Sequence, residues 1–148
     1  MLSSIKNNRQ KYHRTILDTI EDNLYRKKRY ELNFSLAIAI CNNDVCMRDF
    51  STHIRQTDKF IGLEEHLCSV VFDGIPFDKA LKVTSNLQNI FQNKHFNKKL
   101  FIGIVSSADF EHDDNGYKMI NSLLDVLEYS ISNDMNHEIV DNYHLEQR

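Results

Sequence analysis

Apolar residues return at intervals of three and four near the start of the chain, at Tyr12, Ile16, Ile20 and Leu24, with Lys, Arg and Asp between them. That period belongs to an α-helix with one buried face, so a long helix is expected from about Ser4 to Tyr30. The pattern then changes. Phe34-Ser35-Leu36-Ala37-Ile38-Ala39-Ile40-Cys41 is apolar without alternation, which suits a central strand covered on both faces. Asn42-Asn43-Asp44 breaks it. Residues 45–56 are expected as a short helix with Val45, Met47, Phe50 and Ile54 on its apolar side.

Residues 58–63 and 66–73 predict two strands joined by a turn near Glu64-Glu65. The second holds the strongly β-prone run Leu67-Cys68-Ser69-Val70-Val71-Phe72. Asp73-Gly74 ends it, and Pro76 suits the first turn of a helix that aligns Phe77, Ala80, Leu81, Thr84, Leu87 and Phe91. Leu100 to Val105 is another buried strand, and residues 106–115 are a polar loop. A last helix carries Tyr117, Ile120, Leu124, Leu127 and Ile131, and residues 138–143 close as an edge strand. Helices alternating with strands and a hairpin predict an α+β domain, a two-layer mixed sheet packed by helices.

Composition narrows the class. At 148 residues, with 41% hydrophobic and 26% charged, the chain suits one globular domain with a real core. Only 4 Gly and 1 Pro leave little for flexible linkers. No apolar run approaches the ~20 residues that cross a bilayer, and Met1 to Arg9 lacks a signal-peptide core. Cys41, Cys46 and Cys68 are odd in number without paired spacing, so reduced thiols and a cytoplasmic location are expected. The net charge of -3 hides an asymmetry: through Tyr30 there are 8 Lys/Arg against 3 Asp/Glu. A basic segment on an acidic body favours a phosphate ligand, an acidic partner or a membrane surface. The plainer reading of Arg26-Lys27-Lys28-Arg29 is a solvated helix end, where cations offset the dipole.

The order of elements carries short motifs. Arg55-Gln56-Thr57-Asp58 precedes the hairpin, Phe101-Ile102-Gly103-Ile104-Val105 is a Gly-containing strand, and Leu124-Asp125-Val126-Leu127-Glu128-Tyr129-Ser130-Ile131-Ser132 lies on the last helix. In this order and spacing they resemble the GGDEF (diguanylate cyclase) family from about Ser35 to Tyr143. That family has an Arg-x-x-Asp, the GGDEF hairpin, a Ser-Ile-Gly-Ile-Ala-like strand and an Ala-Asp-x-Ala-Leu-Tyr-x-Ala-Lys helix. The resemblance implies a nucleotidyl-cyclase-type, ferredoxin-like sheet. It divides the single domain, residues 1–148, into an N-terminal helix (1–31), a core (32–143) and a tail (144–148).

The departures point away from catalysis. Family members that make cyclic di-GMP hold two divalent cations on carboxylates, since phosphoryl transfer develops charge that needs a metal. One carboxylate lies in an Asp-x-Asp at the end of the first strand, where this chain has Ile40-Cys41-Asn42. The signature position, five residues past Asp58, reads Glu64-Glu65-His66-Leu67-Cys68. Its two glycines, which let backbone approach the nucleotide, are now glutamates. A shifted register, Gly62-Leu63-Glu64-Glu65-His66, recovers one Gly and two acids but breaks the spacing from Asp58. The family's Phe-Lys-x-x-Asn-Asp and Gly-His-x-x-Gly-Asp segments have no room between Asp44 and Arg55, and Ser132 stands where the last-helix Lys would be.

A catalytically inactive domain without cofactor or metal is therefore expected. The resemblance implies that Arg55 and Asp58 form the family's cyclic di-GMP site, on one exposed side of their turn. Arg would offer a fork to phosphate or guanine, and Asp would accept from guanine. The plainer reading makes Asp58 a turn cap and Arg55 a surface ion pair. Other expectations are a protein-interaction or homodimerisation module, with the N-terminal helix as contact, and residual GTP chemistry through Glu64, Glu65 and Asp44. Cys46, His53, His66 and Cys68 lack zinc spacing, and the acidic body opposes nucleic acid.

Overall fold

Strand β1 (Phe34–Cys41) is buried along its whole length, as its unbroken apolar run requires. The computed structural model describes residues 1–42, 44–113 and 115–146. Four further strands, β2 (Lys59–Glu64), β3 (Leu67–Asp73), β4 (Leu100–Ser106) and β5 (Ile139–Asp141), join β1 in one sheet. Their order is β2-β3-β1-β4-β5, and only the β4–β5 pair is parallel. The expected break at 42–44, the expected loop at 106–115 and the expected tail include residues 43, 114, 147 and 148, which lie outside the described residues.

β1 and β2 are both antiparallel to β3 and therefore run the same way, so a crossover must join them. Among the described residues that crossover holds a 3₁₀ helix, Met47–His53, where an α-helix over 45–56 was expected. Ser51 and Thr52 explain the difference. Their hydroxyls donate to the carbonyls of Arg48 (2.7 Å) and Asp49 (2.8 Å), three residues back, which favours a tight short turn.

Helices cover both faces, which adds a layer to the two expected. The 3₁₀ helix and α3 (Phe77–Lys94) pack on Ala37, Ala39 and Cys41 of β1. Helices α1 (Leu2–Asn7), α2 (Arg9–Tyr30) and α4 (Tyr117–Ser132) pack on Leu36, Ile38 and Ile40. Alternate β1 side chains thus enter two separate cores, which is why even Ser35 is buried.

The long N-terminal helix is present but interrupted at Asn8, whose side chain donates back to the Ser4 carbonyl at 2.8 Å. Its stripe of Tyr12, Ile16, Ile20 and Leu24 is buried as expected. It ends at Glu31 with a left-handed backbone (φ 58°), where the Glu31 and Leu32 amides bond to the carbonyls of Lys27 and Arg26. Lys27, Lys28 and Arg29 fill its last turn, where cations oppose the negative helix end.

Two other expectations shift. Tyr117 opens α4 with 58% of its surface exposed, and Met119, Leu123 and Val126 join the core alongside Ile120, Leu124 and Leu127. β5 stops at Asp141, because that carboxylate accepts from the Tyr143 amide (3.0 Å) and starts a short helix, α5 (Asn142–Glu146).

Candidate functional site

Arg55 and Asp58 sit where the 3₁₀ crossover enters β2. Asp58 has a side chain with 0% exposure, while Arg55 keeps 43%. One carboxylate oxygen accepts from the Arg55 backbone amide (3.0 Å) and from Nε (3.1 Å). The other accepts from Nη2 at 2.6 Å. Nη2 donates as well to the Asp73 carbonyl (2.8 Å), tying the start of β2 to the end of β3. Asp58 is thus the turn cap of the plainer reading, and the fork is closed on its own chain. Nη1 of Arg55 has no protein partner among the described residues. The Asp58 hydrogen bond raises the Arg55 pKa further above its ordinary value.

The hairpin side chains are equally engaged. Glu64 ends β2, Glu65 and His66 form the turn, and Leu67 and Cys68 are buried in β3. Neither glutamate has a positive φ, so this turn has no need of the glycines that the resemblance would place here. The Glu64 carboxylate accepts from Lys11 Nζ (2.9 Å) and Tyr12 Oη (3.3 Å) of α2. The Lys11 ammonium holds the Glu64 pKa below the ordinary carboxylate range.

Two backbone hydrogen bonds tie the end of β1 and the segment after it to the hairpin. The Met47 amide donates to the Glu65 carbonyl at 2.7 Å, and the Cys41 amide to the His66 carbonyl at 3.1 Å. Cys41 Sγ lies 3.2 Å from Met47 Sδ, and burial pushes its thiol pKa up to about 12. Deeper in the core, where α3 covers the sheet, the void lined by Ala39, Cys68 and Leu87 measures about 10 Å³, room for at most one water. Asp44, the nearest carboxylate after the strand, is held by Lys98 Nζ at 2.6 Å, which lowers its pKa. Glu64 and Asp44 are thus drawn to different lysines. Among the described residues no three His, Cys, Asp or Glu side chains gather as metal ligands.

No family model matches the chain, and no curated protein sequence does. Solved structures match it well. The isolated GGDEF domain of TpbB (YfiN) from Pseudomonas aeruginosa superposes with a TM-score of 0.68 over 90% of this chain and 92% of its own, at 12% identity. A microbial GGDEF domain described for its interaction with cyclic di-GMP gives 0.67 over 87% and 92%, at 11% identity. This chain has the fold of a GGDEF domain. The diguanylate cyclase SiaD of P. aeruginosa, solved with its activator SiaC, matches through 57% of its length, with a TM-score of 0.65, 87% of this chain covered and 11% identity.

Within that GGDEF fold the structure also shows what sequence reasoning missed. A groove of about 1000 Å³ lies on the α1–α2 elbow against the start of α4. The early cations at Lys6, Arg9, Lys11 and Arg14 were the available signal, but the Asn8 break that gathers them had none.

Proposed function

We propose that this is a non-catalytic regulatory domain of the GGDEF fold, which acts by contact with a protein partner. The observation that carries the reading is the end of β1, which offers no carboxylate. Where the family resemblance would place a metal carboxylate and an open approach for nucleotide, this chain has Ile40, Cys41 and Asn42. The following segment is bonded to the hairpin through Met47 and Glu65. Two-metal condensation of GTP needs carboxylates on a shared cation and space for two triphosphates. The solved complex of SiaD with SiaC is an example of such a fold working with a protein partner.

A second reading is cyclic di-GMP binding at Arg55, supported by the free Nη1 edge and the Arg-x-x-Asp order. A guanine base would have to displace Arg55 from a buried carboxylate, which weighs against a preformed site.

Incubation with GTP and Mg²⁺ or Mn²⁺, followed by chromatography, tests the main reading: no cyclic di-GMP should form, and enzyme-dependent product would overturn it. Calorimetry with cyclic di-GMP tests the second. Saturable heat, weakened by about tenfold in Arg55→Ala, supports the site; no heat at high ligand concentration removes it.

A further inference from the structure

The groove at the α1–α2 elbow has a consistent chemistry. Its walls include Lys6, Arg9, Lys11, His13, Arg14 and Tyr117, and none of its lining residues is acidic. On a chain of net charge -3 such a surface stands out. Arg9 is committed to Asp125 (2.6 Å), Glu128 (3.2 Å) and the Asn121 carbonyl (2.8 Å), and Lys11 to Glu64. Lys6 and Arg14 are exposed and have no ion-pair partner among the described residues.

One further feature faces an anion. Asn8, at the N-terminus of the 22-residue α2, turns its side chain back to Ser4, so the first turn of α2 receives no side-chain cap. That leaves the positive end of the helix open. His13 is half-buried, with its Nε2 shielded from solvent and from the groove. The His13 ring packs at 4.9 Å on Tyr117, whose exposed ring forms an aromatic wall.

We propose that this groove binds a ligand with two or more phosphate groups, held by Lys6, Arg14 and the open end of α2. Its volume exceeds what a single phosphate would occupy, and the two unpaired cations supply the charge. The site is separate from Arg55 and from the hairpin, so it does not depend on the regulatory reading above. A soluble polyphosphate or a patch of phospholipid headgroups would present the same chemistry.

Calorimetry with sodium tripolyphosphate on the full chain, and sedimentation with phosphatidylcholine vesicles with or without phosphatidylserine, separate the sources. The wild type should bind at least one of the two anionic probes saturably. Lys6→Gln with Arg14→Gln should weaken that binding by about tenfold while leaving the melting temperature unchanged, because both side chains are exposed. Lys79→Gln, an exposed cation of α3 away from the groove, should bind as the wild type does. No binding to either probe, or binding undiminished in the double variant, would overturn the proposal.

Discussion

A Cβ added to Gly103 would lie 2.9 Å from Cγ1 of Val126. The glycine sits on β4 opposite Ile38, and α4 passes so close that its Leu127 amide nitrogen is 3.4 Å from the same point. This glycine is required by close approach, since its φ is not positive. Gly103→Ala should destabilise the fold by about 1–3 kcal/mol through overpacking, and Gly103→Val by more. Urea unfolding measures this; an unchanged midpoint would mean that α4 is not seated as described.

Thiol chemistry should sort the cysteines. Cys41 and Cys68 are buried with raised pKa values, chiefly from burial, while Cys46 is exposed. Thiolate is the reactive form. The native protein should therefore release one equivalent with an aromatic disulfide reagent, and three after unfolding. A second fast equivalent would contradict the packing around Cys41.

Glu64 gives a pH signature. Its folded pKa lies below the ordinary value, mainly through Lys11. The pair contributes stability above the ordinary carboxyl pKa of about 4.3, and that contribution fades as pH falls through the lower folded value. Glu64→Gln should melt slightly below the wild type at pH 7, with the gap closing below about pH 4. A gap that stayed constant with pH would show that the Lys11–Glu64 charge pair is not its source.

The Arg55–Asp58 pair makes a stability prediction that the sequence does not. Sequence reading places both side chains on an exposed face, so Arg55→Ala would be nearly silent. With Asp58 fully covered, losing the guanidinium strips two charge-assisted bonds from a buried carboxylate. Arg55→Ala should lower stability by about 1–3 kcal/mol. Asp58→Asn should also destabilise, and thermal unfolding of both variants decides it.

Glu31 holds a left-handed backbone that Gly adopts without strain. Glu31→Gly should raise stability by about 0.5–1 kcal/mol, read from the melting temperature. A loss would show that the Glu31 side chain contributes more than its backbone costs.

Which features were legible in the sequence follows from their physics. β1 matches its run of Phe34 to Cys41 residue for residue, because burial on both faces leaves no charged position. The stripes of α2 and α4 are equally plain, except that Tyr117 escapes burial as the first residue of its helix. The 3₁₀ crossover was missed because Ser51 and Thr52 bond back to the main chain, an effect weaker than the apolar spacing around them. Arg-x-x-Asp located a real turn. Whether its fork faces solvent or its own carboxylate depends on the distant Asp73 carbonyl, and spacing cannot show that.

β1 also has to wait. Its register partners lie far downstream, Leu67 opposite Ile40 and Leu100 opposite Cys41, so the strand is made long before either neighbour exists. An uncharged eight-residue segment without proline is the kind of sequence that stacks with copies of itself. Four consecutive cations, Arg26 to Arg29, stand just ahead of it. Mutual repulsion between nascent chains at that point guards the unpaired strand against aggregation until β3 and β4 arrive.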